Sequence, residues 1–320
     1  MPAGTVVLEQ IASRIQKVYS GALARTLNET SPAYSLLSER GKIVTDTRNE
    51  YRWPSVDEAY DGVNNINDGE DLPDADYENY ADALLKPKIF IGLIRVGRML
   101  QLGSKNNEEY FASKEGSQVL SDQVNAAMRQ IARQIHLQIV ADAAVVKGIT
   151  SLGDAVGKDD NTYANINRVG NTFWQPYVND NGGVARPLTE TLLRDMHDTI
   201  TETRGGNTSE VWCGTTAWNA LADLLEPRVR TSDPNNLRGG AASIDWRGIP
   251  FIRMPDQTPG TMYWFDHNAG EGILLKKQHD EDFIVRPEAT SSYDDRMSIA
   301  AHYEIIVHDP SRQGSLKDLV

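Results

Sequence analysis

The clearest pattern of apolar and polar positions in this chain lies between residues 117 and 147. The stretch contains no proline or glycine, and its apolar residues recur at steps of three and four, which is the spacing of an amphipathic helix. The pattern therefore predicts a single spine helix about 45 Å long, ended by Gly148. Its other face carries polar helix-forming residues, so the helix need not be wholly enclosed. The apolar positions are Val124, Met128, Ile131, Ile135, Ile139, Ala143 and Val146.

Shorter helices are predicted on both sides of the spine helix. Apolar spacing over residues 5–27 predicts an N-terminal helix that is followed by an extended tail. Such a lone helix has no core of its own, so it should pack against the main body or against a neighbour. Farther along, residues 188–204 predict a helix capped by Thr189, and residues 217–225 predict another helix directly after a short strand at 210–213.

Strand signals cluster in two places. Residues 43–52 and 86–102 predict two extended limbs, the second passing into a short helix, and Trp53-Pro54 is expected to break the first. The residues between the limbs are rich in turn formers and predict a long loop. Toward the C-terminus, short apolar runs alternate with turn signals and predict strands at 248–254, 262–265, 272–276, 282–286 and 297–307. Helices in the middle of the chain and strands near its end predict an α+β fold.

Composition narrows the class of protein. At 320 residues and 40% hydrophobic content, the chain can bury the core of one large domain or two ordinary ones. It contains no run of eighteen apolar residues and no signal-peptide pattern, so we expect it to be neither exported nor embedded in a membrane. Cys213 is the only cysteine, which excludes an internal disulfide and fits a reducing cytoplasm.

Charge is distributed unevenly along the chain. The formal net charge is −13, and residues 45–82 hold twelve acidic residues against Arg48 and Arg52, which gives this segment a net charge of −10. An acidic protein is not expected to grip nucleic acid through its phosphates, because that contact uses lysine and arginine. The acidic segment has two interpretations: a solvated, flexible loop, or an arm that pairs with basic patches on other subunits.

No residue pattern predicts a catalytic, cofactor or metal site. The motifs for nucleotide binding, nucleophilic serine, zinc proteases and paired cysteines are missing from the sequence, and its six histidines show no ligand spacing. His279, followed by three acidic residues, can bind a cation, although an exposed turn explains it equally well. The acidic residues Asp68, Glu70 and Asp71 lack the alternation of an EF-hand loop. Cys213 lies on an apolar strand, where a buried, inert thiol is expected.

Six tryptophans are spread over the chain. Large aromatic residues usually lie in the core, and we expect this of Trp212 and Trp218, which belong to a predicted strand and helix. Trp53 and Trp246 lie beside predicted loops and are better candidates for anchoring a neighbouring subunit.

Five short segments occur in an order that is typical of one family. They are ALLKPKIFIGLIRVGRML at 83–100, VWCGTTAWNALADLL at 211–225, DWRGIPFIRMP at 245–255, YWFD at 263–266 and HYEIIVHDP at 302–310. The first is similar to the returning limb of a long loop, the second to an axial strand and helix, and the others to later strands. Together they resemble the major capsid proteins of tailed bacteriophages, whose shell fold is shared by encapsulins.

The resemblance implies an α+β fold with four parts. These are an N-terminal arm (1–42), an extended β-hairpin loop (43–104), a peripheral domain built on the spine helix 117–147 (105–187 with 286–320), and an axial domain (188–285). No long charged helical segment precedes the arm, so no fused scaffolding domain is expected. Some relatives join a loop lysine to an asparagine of a neighbouring subunit. Lys86 and Lys88 lie near the base of the loop rather than its tip, so that crosslink is not expected here.

The resemblance also implies a structural subunit without catalytic activity. Pentamers and hexamers would tile an icosahedral head that encloses double-stranded DNA in the virion, after synthesis in the host cytoplasm. Copies of the chain are the expected partners, with separate scaffolding, portal and decoration proteins as candidates. No membrane, cofactor or sequence-specific DNA binding is expected. An encapsulin-type compartment is the alternative with the same fold, and a hydrolase using His279 and the PDQTPG loop is the alternative from another class.

The residues expected at subunit contacts are basic or aromatic. The basic residues would face the acidic loop of an adjacent subunit, and the tryptophans would supply apolar area. The expected set is Arg48, Arg52, Trp53, Lys86, Lys88, Arg95, Arg98, Arg129, Arg133 and Trp246.

Overall fold

The computed structural model describes residues 12–13, 15–17, 22–56, 80–97, 114–225, 237–238, 241–268, 272–288 and 294–320. Their α-helices are α1 (Ala22–Thr30), α2 (Pro32–Glu39), α3 (Lys114–Val140), α4 (Leu152–Ala155), α5 (Glu190–Asp198) and α6 (Thr215–Leu225). Their strands are β1 (Ile43–Thr45), β2 (Tyr51–Val56), β3 (Tyr80–Leu85), β4 (Lys88–Gly97), β5 (Thr162–Tyr163), β6 (Ile166–Asn167), β7 (Tyr177–Asn179), β8 (Glu210–Cys213), β9 (Leu237–Arg238), β10 (Ala241–Trp246), β11 (Ile249–Arg253), β12 (Met262–Phe265), β13 (Ile273–Lys277), β14 (Ile284–Glu288), β15 (Asp294–Val307) and β16 (Gly314–Leu316). The predicted α+β class is confirmed.

The spine helix is α3, and at 1.5 Å per residue it is about 40 Å long. Its apolar stripe faces inward, as predicted. The inward residues, each at most 4% exposed, are Val124, Met128, Ile131, Ile135 and Ile139. The predicted continuation to Lys147 is wrong, because the helix ends at Val140.

Contacts made by the following segment explain the early end of α3. The Gly153 amide donates to the Ala141 carbonyl (3.0 Å), and the Asp154 carboxylate accepts from the Ala144 amide (2.6 Å). These bonds turn the chain back over the helix end. Val146, which the sequence placed on the buried stripe, is instead 88% exposed.

Two consecutive helices, α1 and α2, occupy the place where one helix and an extended tail were predicted. Ser31 caps α2, its hydroxyl accepting from the Tyr34 amide (3.2 Å). Pro32 opens the helix, where its missing N–H is not needed. Leu27 and Leu37 are fully buried, and both helices contact α3. This segment therefore packs against the body of its own subunit.

The first sheet is organised by the long strand β15. The neighbours of β15 are β13, β14 and β4, all antiparallel, and β1 extends the sheet by pairing in parallel with β13. One face packs on the spine helix: a Cβ added at Gly92 in β4 would lie 3.3 Å from Ile131 Cδ1. The strand predicted at the start of 86–102 is confirmed, and the short helix expected after it lies outside the described residues.

Strands β2 and β3 form a separate two-stranded ribbon. Tyr51 pairs with Leu85 and Val56 pairs with Tyr80, so β2 runs through Trp53-Pro54, where a break was predicted. A proline is tolerated because a two-stranded ribbon has free edges that need no further N–H donor. The acidic loop between the strands, 57–79, lies outside the described residues.

The second sheet has the strand order β7-β16-β12-β8-β11-β10-β9. Its own hydrophobic core includes Leu193 and Met196 of α5, Leu221 of α6, and Trp264 of β12. The predicted strands at 210–213 and 262–265 are confirmed. So is the Thr189 cap, whose hydroxyl accepts from the Leu192 amide (3.2 Å).

The strands near the C-terminus are not distributed between the two sheets as the expected boundary between axial and peripheral domains, after residue 285, implies. Strands β13 and β14, expected in the axial part, pair with β15 in the first sheet. Strand β16, expected in the peripheral part, pairs with β7 and β12 in the second sheet. The chain thus crosses from one sheet to the other after β12 and returns after β15.

Candidate subunit-contact surface

An exposed row of large apolar side chains runs along β4. Ile89, Ile91 and Leu93 are 55, 60 and 67% exposed, whereas Phe90 and Ile94, between and beside them, are 8 and 2% exposed. Successive side chains of a strand point to opposite faces, so one face of β4 is packed on the spine helix and the other is bare. A contiguous apolar patch of this kind usually marks a contact surface.

The outer edge of β4 is a second feature of this surface. The strand pairs with β15 from Lys88 to Gly97, and no other described strand pairs with it. Beside it, β4 and the spine helix enclose an apolar groove of about 280 Å³ lined by Phe90, Gly92, Ile131 and Gln134, among others. A free strand edge presents N–H and C=O groups to which another chain can bind.

The cations predicted at the base of the hairpin are already paired within the subunit. Arg48 contacts Asp46 (2.6 Å), while Arg52 and Lys86 both contact Glu50 (2.8 and 2.9 Å). The hydrogen bond from Arg48 lowers the pKa of Asp46, and bonds from Lys86 and Arg52 lower the pKa of Glu50. Each of these three cations therefore already contacts an acidic residue of its own subunit, and Arg52 and Lys86 share one.

Other predicted cations lack such compensation. Arg129 and Arg133 are exposed on the spine helix, and Lys88 begins β4; none of them forms an ion pair with a described residue. The backbone of Arg95 pairs with Arg296 in β15, but its side chain and the whole of Arg98 lie outside what the structure describes. Within the described part of the chain, Arg129, Arg133 and Lys88 are thus cations without an ion-pair partner.

The two tryptophans predicted as anchors are engaged inside the subunit. Trp246 is only 6% exposed, and its ring packs edge-on against Phe251 and Trp264 (centroids 6.1 and 6.5 Å apart). This burial contradicts an exposed anchoring role for Trp246. Trp53 is half-buried, and its ring centroid lies 6.4 Å from that of Trp174. Its indole N–H donates to the His308 carbonyl (3.2 Å). Only its remaining exposed part can reach a neighbour.

The histidines, the cysteine and the acidic residues considered for chemistry form no metal-holding group in the described part of the chain. No group of three histidine, cysteine or acidic side chains there could hold a metal. Near His279, Lys277 pairs with Asp282 (3.3 Å), so part of the local negative charge is compensated. Cys213 is fully buried, and this burial raises the pKa of its thiol. No helix among the described residues is long and apolar enough to cross a membrane.

A buried charge cluster, which the sequence did not reveal, links the helices to the second sheet. The Glu210 carboxylate is fully buried and accepts from Arg40 (2.6 Å) and from Trp212 Nε1 (3.0 Å), and it contacts His267 Nε2 (2.5 Å). Burial alone would raise the pKa of Glu210, but His267 and Arg40 outweigh it and the pKa is lowered. The sequence feature that could have indicated this cluster is an acidic residue, Glu210, at the first position of an otherwise apolar strand. Through the Arg40–Glu210 ion pair, the cluster connects the C-terminal end of α2 to β8.

Comparisons with known proteins agree with a shell-forming fold. A sequence model of the SU10 major capsid protein family matches residues 5–269. The chain is similar to the capsid asymmetric unit of cyanophage A-1(L), with 14% identity, a TM-score of 0.62, and coverage of 87% of this chain and 90% of that one. It is similar to the capsid of a native GTA particle, with 11% identity, a TM-score of 0.56, and coverage of 89 and 90%. It is also similar to the holo-SrpI encapsulin complex from Synechococcus elongatus PCC 7942, with 12% identity, a TM-score of 0.54, and coverage of 87 and 84%. No curated protein sequence matches the chain.

Proposed function

Because the chain belongs to the SU10 major capsid protein family, it is a structural subunit of a phage head rather than an enzyme, and we propose that its copies join as pentamers and hexamers around double-stranded DNA. The family match over residues 5–269 carries this proposal. Copies of one chain that bind through two different surfaces close into rings when the rotation between them fits.

The bare face and free edge of β4 would supply much of the contact energy. Ile89, Ile91 and Leu93 are more than half exposed in the single subunit, and fully burying a large aliphatic side chain contributes roughly 1.5–3 kcal/mol. Exposed ion pairs contribute only about 0–1 kcal/mol each. We therefore assign affinity to the apolar surface, and orientation and partner choice to the charges.

The acidic hairpin loop would lie across an adjacent subunit. Residues 57–79 contain nine acidic residues and no basic one. Their partners would be cations that form no ion pair with a described residue of their own subunit, such as Arg129 and Arg133, with Arg95 and Arg98 as further candidates. Charge reversal at Arg129 and Arg133 should reduce the yield of complete shells, whereas reversal at Arg48, already paired with Asp46, should not. Equal yields from both variants in electron micrographs would remove this role.

The acidity of the subunit fits a container for DNA. A net charge of −13 disfavours tight, sequence-independent binding of phosphates, so packaged DNA could move along the inner wall. Separate scaffolding, portal and decoration proteins remain candidate partners, and the host cytoplasm is the expected site of assembly.

A size measurement tests the proposal. Purified protein, alone and with a candidate scaffolding protein, is examined by light scattering and electron microscopy. Closed particles with five- and sixfold capsomers are expected, and a persistent monomer under every condition would overturn the proposal.

The similarity to an encapsulin makes the contents of the particle a separate question. Particles recovered from infected cells should contain double-stranded DNA that is protected from nuclease. Particles that contain a cargo enzyme and no DNA would indicate the compartment function instead.

A further inference from the structure

A pocket of about 500 Å³ lies where the hairpin base, the turn after the spine helix and the end of β15 meet. The residues important here are Lys86, Lys88, Lys147, Thr150 and Glu304. Its volume is within the range of ligand-binding clefts, roughly 300–1,000 Å³. Lys147 and Glu304 were not among the residues that the sequence singled out.

The charges around this pocket are not balanced. Lys86 is paired with Glu50 (2.9 Å), and Asp154 is paired with Lys158 (2.6 Å). Lys88 and Lys147 line the pocket without an ion pair to any residue that the structure describes. The pocket is therefore cationic and favours an anionic guest.

Glu304 adds an unpaired hydrogen-bonding atom. Its side chain is fully buried, and Oε1 accepts from the Thr150 amide (2.7 Å) and from the Ile305 amide (3.2 Å). Oε2 is buried and has no hydrogen-bond partner among the described residues. Burial raises the pKa of Glu304 to about 7, against the lowering effects of the hydrogen bonds from Thr150 and of the positive charge on Lys88. When it is protonated, this carboxyl group can donate a hydrogen bond to a guest carboxylate and keep its proton.

We infer that this pocket receives carboxylate side chains from the acidic segment 57–79 of a second copy of the chain. The segment is the densest source of carboxylates in the sequence, with nine acids and no base to compensate them. Lys88 and Lys147 would pair with the guest carboxylates, and Glu304 would hydrogen-bond to one of them. The inference rests on the proposed shell function and identifies one site at which the acidic loop binds a neighbour.

The geometry of the hairpin favours a second copy over the same subunit. The pocket includes Leu85 and Lys86 at the base of the hairpin, while β2 and β3 lead away from that base for six residues each. Six residues of strand span about 20 Å. In sequence the acidic segment follows the far end of β2, so it would have to reverse along its own hairpin to reach its own pocket.

A zero-length carbodiimide crosslinker tests which chains meet. It joins a carboxylate to an amine only when the two are in contact. Particles are assembled from a mixture of nitrogen-14 and nitrogen-15 subunits, crosslinked and analysed by peptide mass spectrometry. Mixed-isotope peptides joining residues 57–79 to Lys88 or Lys147 are expected. Same-isotope peptides alone would mean that the segment occupies its own pocket, and they would overturn the inference.

Matched variants test whether the pocket matters for assembly. The double variant K88Q/K147Q should raise the protein concentration needed for half-maximal assembly about tenfold, which corresponds to roughly 1.4 kcal/mol. The control K86Q/K158Q removes two lysines that are already paired in their own subunit and should change that concentration much less. Because Lys88 and Lys147 lack ion pairs to described residues, K88Q/K147Q should unfold at the wild-type temperature.

Different results would contradict the shell function and the pocket. If wild-type protein forms no particles, the shell function itself is contradicted. If particles form, K88Q/K147Q assembles like the wild type and the crosslinks fall elsewhere, then the pocket inference is overturned while the shell function stands.

Discussion

One face of the first sheet is covered by the subunit near the end of β15 but is exposed along β4. Around Glu304, the face of β15 is covered by the segment that follows the spine helix: Thr150 bonds the buried carboxylate (2.7 Å), and the Tyr163 hydroxyl bonds the backbone of Val307. Along β4, on the same face, Ile91 and Leu93 are 60 and 67% exposed. The bare half is apolar in sequence, whereas the covered half holds the buried carboxyl group of Glu304, and only the covered half is closed off by the subunit's own fold.

Contacts in the covered half are therefore expected to stabilise the subunit itself, and the bare half is expected to bind another chain. Substitutions in the covered half should change the unfolding of the isolated subunit. Substitutions in the bare half should leave unfolding unchanged and alter assembly.

The largest effect is expected on the bare half. The variant I91D/L93D should abolish assembly at concentrations at which the wild type forms particles, because each lost apolar burial removes roughly 1.5–3 kcal/mol of contact energy. Its monomer should remain folded. The matched control is V169D, which alters a residue that is 64% exposed in a turn outside β4. If light scattering shows particles for I91D/L93D, the bare face of β4 is not required for assembly.

The second effect is the pH dependence of the subunit's stability, which is expected to come from Glu304 in the covered half. The pKa of Glu304 is raised from 4.5 to about 7 in the folded protein, so the folded state holds this proton more tightly than the unfolded chain. The resulting stability is complete below pH 4.5 and is lost as the pH rises through about 7. The difference is at most about 3 kcal/mol. Glu304→Gln should flatten the dependence of the unfolding midpoint on pH between 5 and 8, and an unchanged slope would reject this role.

A smaller effect is expected for Tyr163→Phe. The Tyr163 hydroxyl donates to the Val307 carbonyl (3.2 Å) and accepts from the Val307 amide (2.7 Å). Losing both bonds should destabilise the subunit by about 1–3 kcal/mol, measured by chemical denaturation, without changing the particle that forms below the unfolding transition. A changed particle with unchanged stability would contradict the assignment of this half to folding.

The smallest effect is expected for Arg48→Gln. Arg48 is exposed and paired with Asp46, which also contacts Lys276 (3.1 Å). An exposed pair contributes little to stability, and Asp46 keeps a second cation. We expect no measurable change in unfolding or in particle yield; a reduced yield would show that Arg48 also contacts another subunit.

Helix periodicity predicted the buried stripe of the spine helix but not its end. The stripe from Val124 to Ile139 depends on spacing alone. The end at Val140 depends on Gly153 and Asp154, whose contacts with the turn are tertiary. Similarly, an extended tail was predicted after residue 27, but Ser31 and Pro32 begin a helix there as its cap and first-turn proline.

The contact surface was harder to predict, and the reason lies in the sequence of β4. Ile89, Phe90 and Ile91 are all apolar, so no alternation indicates which face is buried. Only the position of the spine helix distinguishes the two faces. The charges of Arg48 and Lys86 are evident from the sequence, but their pairing with Asp46 and Glu50 depends on the folded hairpin base.

The central claim is that the bare face and edge of β4 are completed by another copy of the chain. A cryo-electron microscopy reconstruction of assembled particles tests it most directly. The account predicts a closed shell in which Ile89, Ile91 and Leu93 are buried against a neighbouring subunit. A shell in which these three side chains face solvent would contradict it.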